Sequence, residues 1–189
     1  LMQQSRTQNA TRNIVFGVLQ TSIAILAPFI TRTIILHTLG ANYIGLNSLF
    51  SSILQVLSMA DLGFGSVMIF SLYKPMSQND IHVVRGLLSL YRRIFIIVGS
   101  VMIFAGLAIM PFLRYLVKTD MPPDIDLHLL YLLFLINTTS SYFLLAYRQS
   151  LLVASQRKDI ISKITMVVHI ILYTAQSIVL ITTKNYYLF

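Results

Sequence analysis

Asn47, Ser51, Gln55, Ser58 and Asp61 follow one another at intervals of three or four residues, the spacing that gathers side chains along one face of a helix. The residues between them are mostly apolar. A carboxylate in such a setting is costly unless it meets water, a cation or a polar cavity, so Asp61 is the candidate for binding a proton or a sodium ion. The competing reading of the stripe is helix-to-helix adhesion, which Ser and Gln side chains commonly supply. A weaker version occurs earlier, where Asn13, Gly17, Gln20, Thr21, Ala24 and Thr31 fall near one face with Arg32 at its edge. If that helix runs outward, Arg32 lies about 10 Å past the membrane midplane, which leaves two readings: a snorkelling interfacial anchor, or a cavity residue that contacts an anion.

Arg32 and Asp61 do not suit each other as direct partners, because antiparallel helices put them about 15 Å apart in depth. Further along, Asn137-Thr138-Thr139-Ser140-Ser141 forms a polar belt at the centre of another apolar stretch. Such a belt either meets substrate or bonds back to its own helix carbonyls and permits close approach or a bend. His169, Tyr173 and Gln176 share a third face, where a lone histidine is a packing residue or a proton carrier. Gly63 and Gly65 flank Phe64 beside the acid and suit close packing or local unwinding, and Pro28 frees a carbonyl and predicts a kink. The candidate substrate contacts are therefore Arg32, Asn47, Gln55, Asn137 and Gln20, with Asp61 as the ion-coupling residue. The sequence has no metal-ligand cluster, no nucleotide loop and no set of acid, base and nucleophile, so the chemistry expected is binding rather than catalysis.

The elements that must position these residues are membrane spans. The chain is 56% hydrophobic and 11% charged, with a mean hydropathy of +0.76, a balance foreign to water-soluble globules. The lack of Cys rules out disulfides and thiolate chemistry. The net charge of +8 is distributed between apolar stretches and not along one polar face, which argues against nucleic acid as a partner. Stretches long enough for a bilayer core of about 30 Å occur at 14–36, 44–72, 91–113, 127–147 and 163–182. They predict an all-α bundle of about five spans. Gly40 and Asn42, Lys74-Pro75 and Pro122-Pro123 mark breaks between them. The first is too long for a signal peptide and contains Pro28 and Arg32, so it reads as a retained helix. The basic segment 79–90 either lies along the surface or extends the third span.

Lysine and arginine resist transfer across the bilayer, and their distribution gives an orientation. Arg6, Arg12, Lys74, Arg85, Arg92, Arg93, Arg148, Arg157, Lys158 and Lys163 fall on one side, against Arg114, Lys118 and Lys184 on the other. The expectation is a multi-pass protein of the plasma membrane with a cytoplasmic N-terminus. The start at Leu1 before Met2 and the stop at Phe189 just after an apolar span read as an incomplete chain.

Several motifs together carry a family resemblance: Ser5-Arg6-Thr7 with Arg12-Asn13; Arg32 through Leu39-Gly40, Tyr43 and Gly45-Leu46-Asn47-Ser48-Leu49-Phe50; and Asp61-Leu62-Gly63-Phe64-Gly65 with Leu72-Tyr73-Lys74-Pro75. Tyr147-Arg148 and Gln156-Arg157 to Asp159-Ile160-Ile161 add to it. The chain resembles, over nearly its whole length, the polysaccharide-transporter branch of the multidrug/oligosaccharidyl-lipid/polysaccharide exporter superfamily, the Wzx-type flippases. The resemblance implies a full-length protein of about 12 to 14 helices in two lobes, which moves a lipid-linked oligosaccharide through a central cavity by alternating access. This chain would supply most of the first lobe, and the C-terminal lobe would be a partner outside it. The substrate implied is of the undecaprenyl diphosphate type, and glycosyltransferases and a polymerase of polysaccharide assembly are implied partners. Proton or sodium coupling is the cofactor expectation. The alternatives are an exporter of another amphipathic substrate on the same scaffold, a membrane polymerase or ligase, and an inactive fragment.

Overall fold

In a computed structural model, which describes residues 6–59, 64–117, 125–144 and 146–188, the chain is helical throughout, with no strand among the described residues. It forms seven helices of more than one turn, not five: α1 (Arg6–Thr38), α2 (Ala41–Ser58), α3 (Phe64–Ser77), α4 (Ile81–Ile109), α5 (Leu127–Leu144), α6 (Ala146–Ala154) and α7 (Lys158–Thr183). Four are long and apolar enough to cross a membrane, over Ala10–Thr38, Ile81–Leu116, Leu127–Leu144 and Lys158–Thr183.

The boundaries follow local chemistry. After α1, Gly40 takes φ 103°, and the N–H groups of Leu39 and Gly40 both donate to the Ile35 carbonyl, at 2.9 and 3.1 Å. That left-handed closure suits glycine alone among ordinary residues. The next helix starts at once, so Asn42, expected in the turn, is already inside α2. The expected single span at 44–72 is divided into α2 and α3. Asp61 and Gly63 lie outside the described residues.

Pro75 does not stop α3, which runs on to Ser77. Pro75 has no N–H to give the Ser71 carbonyl, and the helix continues past it for less than one turn. The actual stop is Asn79 at φ 54°, with the Asp80 N–H closing onto the Pro75 carbonyl at 2.9 Å. Asp80 then caps α4 by accepting from the Val83 N–H at 3.1 Å. The basic segment 79–90 thus leads into a continuous helix and extends the third span. A 3-10 turn, Met110–Phe112, and one further helical turn, Leu113–Leu116, carry α4 past Pro111. Asp126 caps α5 through the N–H groups of His128 and Leu129, at 2.9 and 3.2 Å. That helix ends at Leu144 and not at 147, and α7 begins five residues earlier than the expected 163. Lys184, at φ 51°, closes α7 by donating its N–H to the Leu180 carbonyl at 3.0 Å.

The chain divides into two compact units, Leu1–Ile44 with Ser155–Phe189, and Gly45–Ala154. In the first, α1 and α7 run parallel. Arg12 meets Asp159 near both N-terminal ends, and Tyr43 meets Tyr186 beyond both C-terminal ends, with ring centroids 5.3 Å apart. In the second unit, Met68 and Leu72 of α3 pack with Tyr91 and Phe95 of α4 and Ala154 of α6. Ser71 and Tyr91 share a hydrogen bond between their hydroxyls. Along the antiparallel α4–α5 contact, Gly99 faces Phe143 and Tyr142 while Gly106 faces Leu135. The Tyr131 hydroxyl donates to the Gly106 carbonyl at 3.1 Å. Glycine lets these two helices approach closely, as is common inside membranes.

The outward faces are strongly apolar, with Phe29, Phe70 and Phe104 about seven-tenths exposed, at 69%, 71% and 74%. Such surface is untenable in water over this extent but natural against acyl chains. Long apolar helices with these faces make this a membrane-embedded protein.

Candidate functional site

On α2, Leu46, Phe50 and Leu54 turn inward, and Phe50 sits edge-on against Tyr131 and Phe134 of α5, with centroids 5.4 and 5.6 Å away. Residues i, i+4 and i+8 on a helix fall along one side, so this contact fixes the azimuth of every other residue on α2. Asn47 consequently lies at the margin, partly buried, while Ser51 and Gln55 are exposed. The Ser51 hydroxyl donates to Asn47 Oδ1 at 3.3 Å, one turn apart. Ser51 and Gln55 thus form an outward surface of the second unit, whereas Ser58 is partly buried and donates to the Leu54 carbonyl at 2.8 Å. Asp61, the last member of the stripe, lies outside the described residues.

The remaining candidates separate into two kinds. Asn137 is exposed on α5, but its hydroxyl neighbours turn back on their own helix. Thr139, buried at 2% exposure, donates to the Leu135 carbonyl at 2.7 Å, Ser140 to Ile136 at 2.6 Å, and Ser141 to Thr138 at 3.1 Å. For the hydroxyls of the belt, local bonding wins over ligand contact. On α1, Arg32 is exposed, while Gln20 is partly buried and Thr31 is fully buried. Asn13 and Thr31 of the expected polar face serve the inside of the first unit, whereas Thr21 and Ala24 face outward. Arg32 and Gln20 belong to the first unit, and Asn47, Gln55 and Asn137 to the second. His169 is partly buried with its ring edge-on to Tyr173 at 5.7 Å, an arrangement of packing.

The most developed polar centre was not singled out as a site by the sequence. Asp159, in the first turn of α7, has a side chain only 3% exposed and is held by three cations. Arg12 Nη2 donates to Oδ2 at 2.7 Å, Arg157 Nε to Oδ1 at 3.3 Å, and Lys163 Nζ lies 3.5 Å from Oδ2. The backbone N–H of Asp159 donates to Asn13 Oδ1 at 2.7 Å, and Asn13 Nδ2 donates to the Gln156 carbonyl at 3.1 Å. Lys163 also rests over the Phe16 ring, 4.2 Å from its centroid. Both oxygens of the acid are engaged, as a buried carboxylate requires. The available signal was the pairing of an acid with Lys163 four residues later, at a helix start where Arg12 falls on the same predicted side.

Chemically, the first unit offers a cation-rich cluster at one end and an exposed guanidinium, Arg32, towards the other. The second unit offers an exposed ladder of amide and hydroxyl groups. Both arrangements are chemically suited to polar or anionic groups, and neither, among the described residues, sets a nucleophile beside a base. Comparison of this chain with protein-family models, with curated proteins and with solved structures finds no match.

Proposed function

We propose that the chain is part of a flippase that carries lipid-linked oligosaccharides of the undecaprenyl diphosphate type across the plasma membrane by alternating access, in the assembly of surface polysaccharide. One observation carries the reading: Ser51 and Gln55 are exposed one turn apart on a helix of a membrane-embedded chain whose outward faces are rich in large apolar side chains. Amides and hydroxyls turned towards acyl chains would forfeit their hydrogen bonds, so such a ladder calls for water or a sugar head group. A sugar diphosphate cannot enter hydrocarbon unaided, while its polyprenyl tail can remain in the bilayer. Arg32 suits the diphosphate, and Asn47, Gln55 and Asn137 suit the sugar hydroxyls. The resemblance described for the sequence supplies the substrate class. A cytoplasmic N-terminus is supported by Arg12, Arg157 and Lys163 gathering at the same end of the first unit, with Lys184 at the other.

The test is transport by the whole protein reconstituted in vesicles, with a fluorescent undecaprenyl diphosphate sugar whose outer-leaflet label is quenched. Arg32→Ala and Gln55→Ala are expected to slow flipping at least ten-fold with unchanged membrane abundance. Asp61→Asn is expected to abolish its dependence on an imposed ion gradient. Equal transport by all three variants overturns the site. Transport of unrelated amphipathic dyes, with no movement of the lipid-linked sugar, replaces the substrate class.

A further inference from the structure

We infer that the Asp159 cluster is a seat for the phosphate of an anionic bilayer lipid, which pins the shared end of α1 and α7 at head-group depth. The inference requires only that these helices span the membrane, and it does not depend on what the protein transports. Three cations surround a single acid, so two positive charges remain after Asp159 is neutralised. Lys158, exposed beside them, adds a third. The side chains of Arg12, Arg157 and Lys163 retain 31%, 36% and 37% of their surface, so the cluster is closed towards the acid and open outward.

The surroundings identify the partner as a lipid and not a soluble anion or an acidic peptide. Ile14 and Val15, one turn beyond Arg12, are exposed at 65% and 48%, and Ile164 and Val167, just beyond Lys163, at 60% and 51%. Apolar surface therefore begins within about 5 Å of the cations along both helices. A ligand filling this edge has one strongly acidic group and an aliphatic body directly attached to it. Basic clusters at the ends of membrane helices attract anionic lipid with about 1 kcal/mol for each charge near the surface. The geometry adds direction, because Asp159 and Asn13 hold the cations in place before any lipid arrives, which reduces the ordering cost of binding.

The experiment measures the affinity of the detergent-solubilised whole protein for fluorescent phosphatidylglycerol and for phosphatidylcholine. The native protein is expected to prefer the anionic lipid by at least ten-fold, with the preference falling as salt rises. Arg157→Gln combined with Lys158→Gln should weaken phosphatidylglycerol binding roughly ten- to thirty-fold and leave phosphatidylcholine unchanged. The charge-preserving pair Arg157→Lys with Lys158→Arg should retain most of the preference. Arg92→Gln with Arg93→Gln, which removes an exposed basic pair on α4, should have little effect. Equal affinity of the native protein for the two lipids overturns the proposal, without any variant. Equal losses from the 157/158 and 92/93 variants also overturn it, since they would report overall charge. Displacement of the lipid by millimolar inorganic phosphate alone would assign the cluster to a soluble anion instead.

Discussion

At the scale of single residues, Asp159 organises the first unit. A carboxylate with 3% of its surface exposed is tolerable only with its oxygens occupied, and Arg12, Arg157 and Lys163 occupy them. Removing the acid leaves three neighbouring cations to repel one another, so Asp159→Ala is expected to destabilise the α1–α7 pair by about 3–5 kcal/mol. Arg12→Ala, which leaves two partners in place, should cost about 1–3 kcal/mol. The order of thermal midpoints in detergent checks this: native highest, Arg12→Ala lower, Asp159→Ala lowest. Midpoints that coincide would mean that the cluster contributes nothing to stability. Among the transport candidates, Arg32, Gln55 and Ser51 keep exposed side chains, whereas Thr139 and its neighbours are committed to their own helix. Hydropathy and periodicity treat these cases alike, since a hydroxyl that folds back and one that faces a ligand have the same position in the sequence.

At the scale of elements, the close α4–α5 contact depends on glycine. A Cβ added at Gly106 would sit 2.5 Å from Leu135 Cδ1, so the Leu135 side chain would have to shift. Gly106→Val is therefore expected to cost about 1–3 kcal/mol, and Leu135→Ala in the same chain should recover part of that loss. A double-mutant cycle on thermal unfolding reads the coupling, and strict additivity would contradict the contact. The existence of the long spans was legible because α1, α4, α5 and α7 each carry an apolar stretch long enough for a bilayer. The division of the second span was not, because apolar residues continue on both sides of the break and only Gly63 and Gly65 signal it. The Asp159 cluster was hidden for a different reason. Arg12 and Asp159 are 147 positions apart, and no local pattern records a pairing made by tertiary contact.

At the scale of the whole molecule, the proposed multi-pass threading of the membrane is constrained by helix direction. Two spans that cross in the same direction must have an odd number of crossings between them, and α1 and α7 run parallel. The antiparallel α4 and α5 supply two. The third falls to the segment that contains α2, of 18 residues, and α3, of 14, which together exceed the roughly 20 needed for a bilayer. Reporters fused after Gln78 and after Lys184 are therefore expected on opposite sides, the first on the side of the N-terminus. A reporter after Gln78 on the side opposite the N-terminus would remove α2 and α3 from the membrane.

The central claim is that the α2 ladder faces water inside a membrane protein, and single cysteines placed in this chain, which has none of its own, measure it. Single variants Ser51→Cys and Gln55→Cys in the whole protein freed of any other cysteine, with Val56→Cys as the lipid-facing comparison, should be probed with a membrane-impermeant maleimide. The account predicts labelling at 51 and 55, protection when the lipid-linked sugar is present, and none at 56. Unlabelled thiols at 51 and 55 with and without substrate, in a protein that still transports, would contradict it.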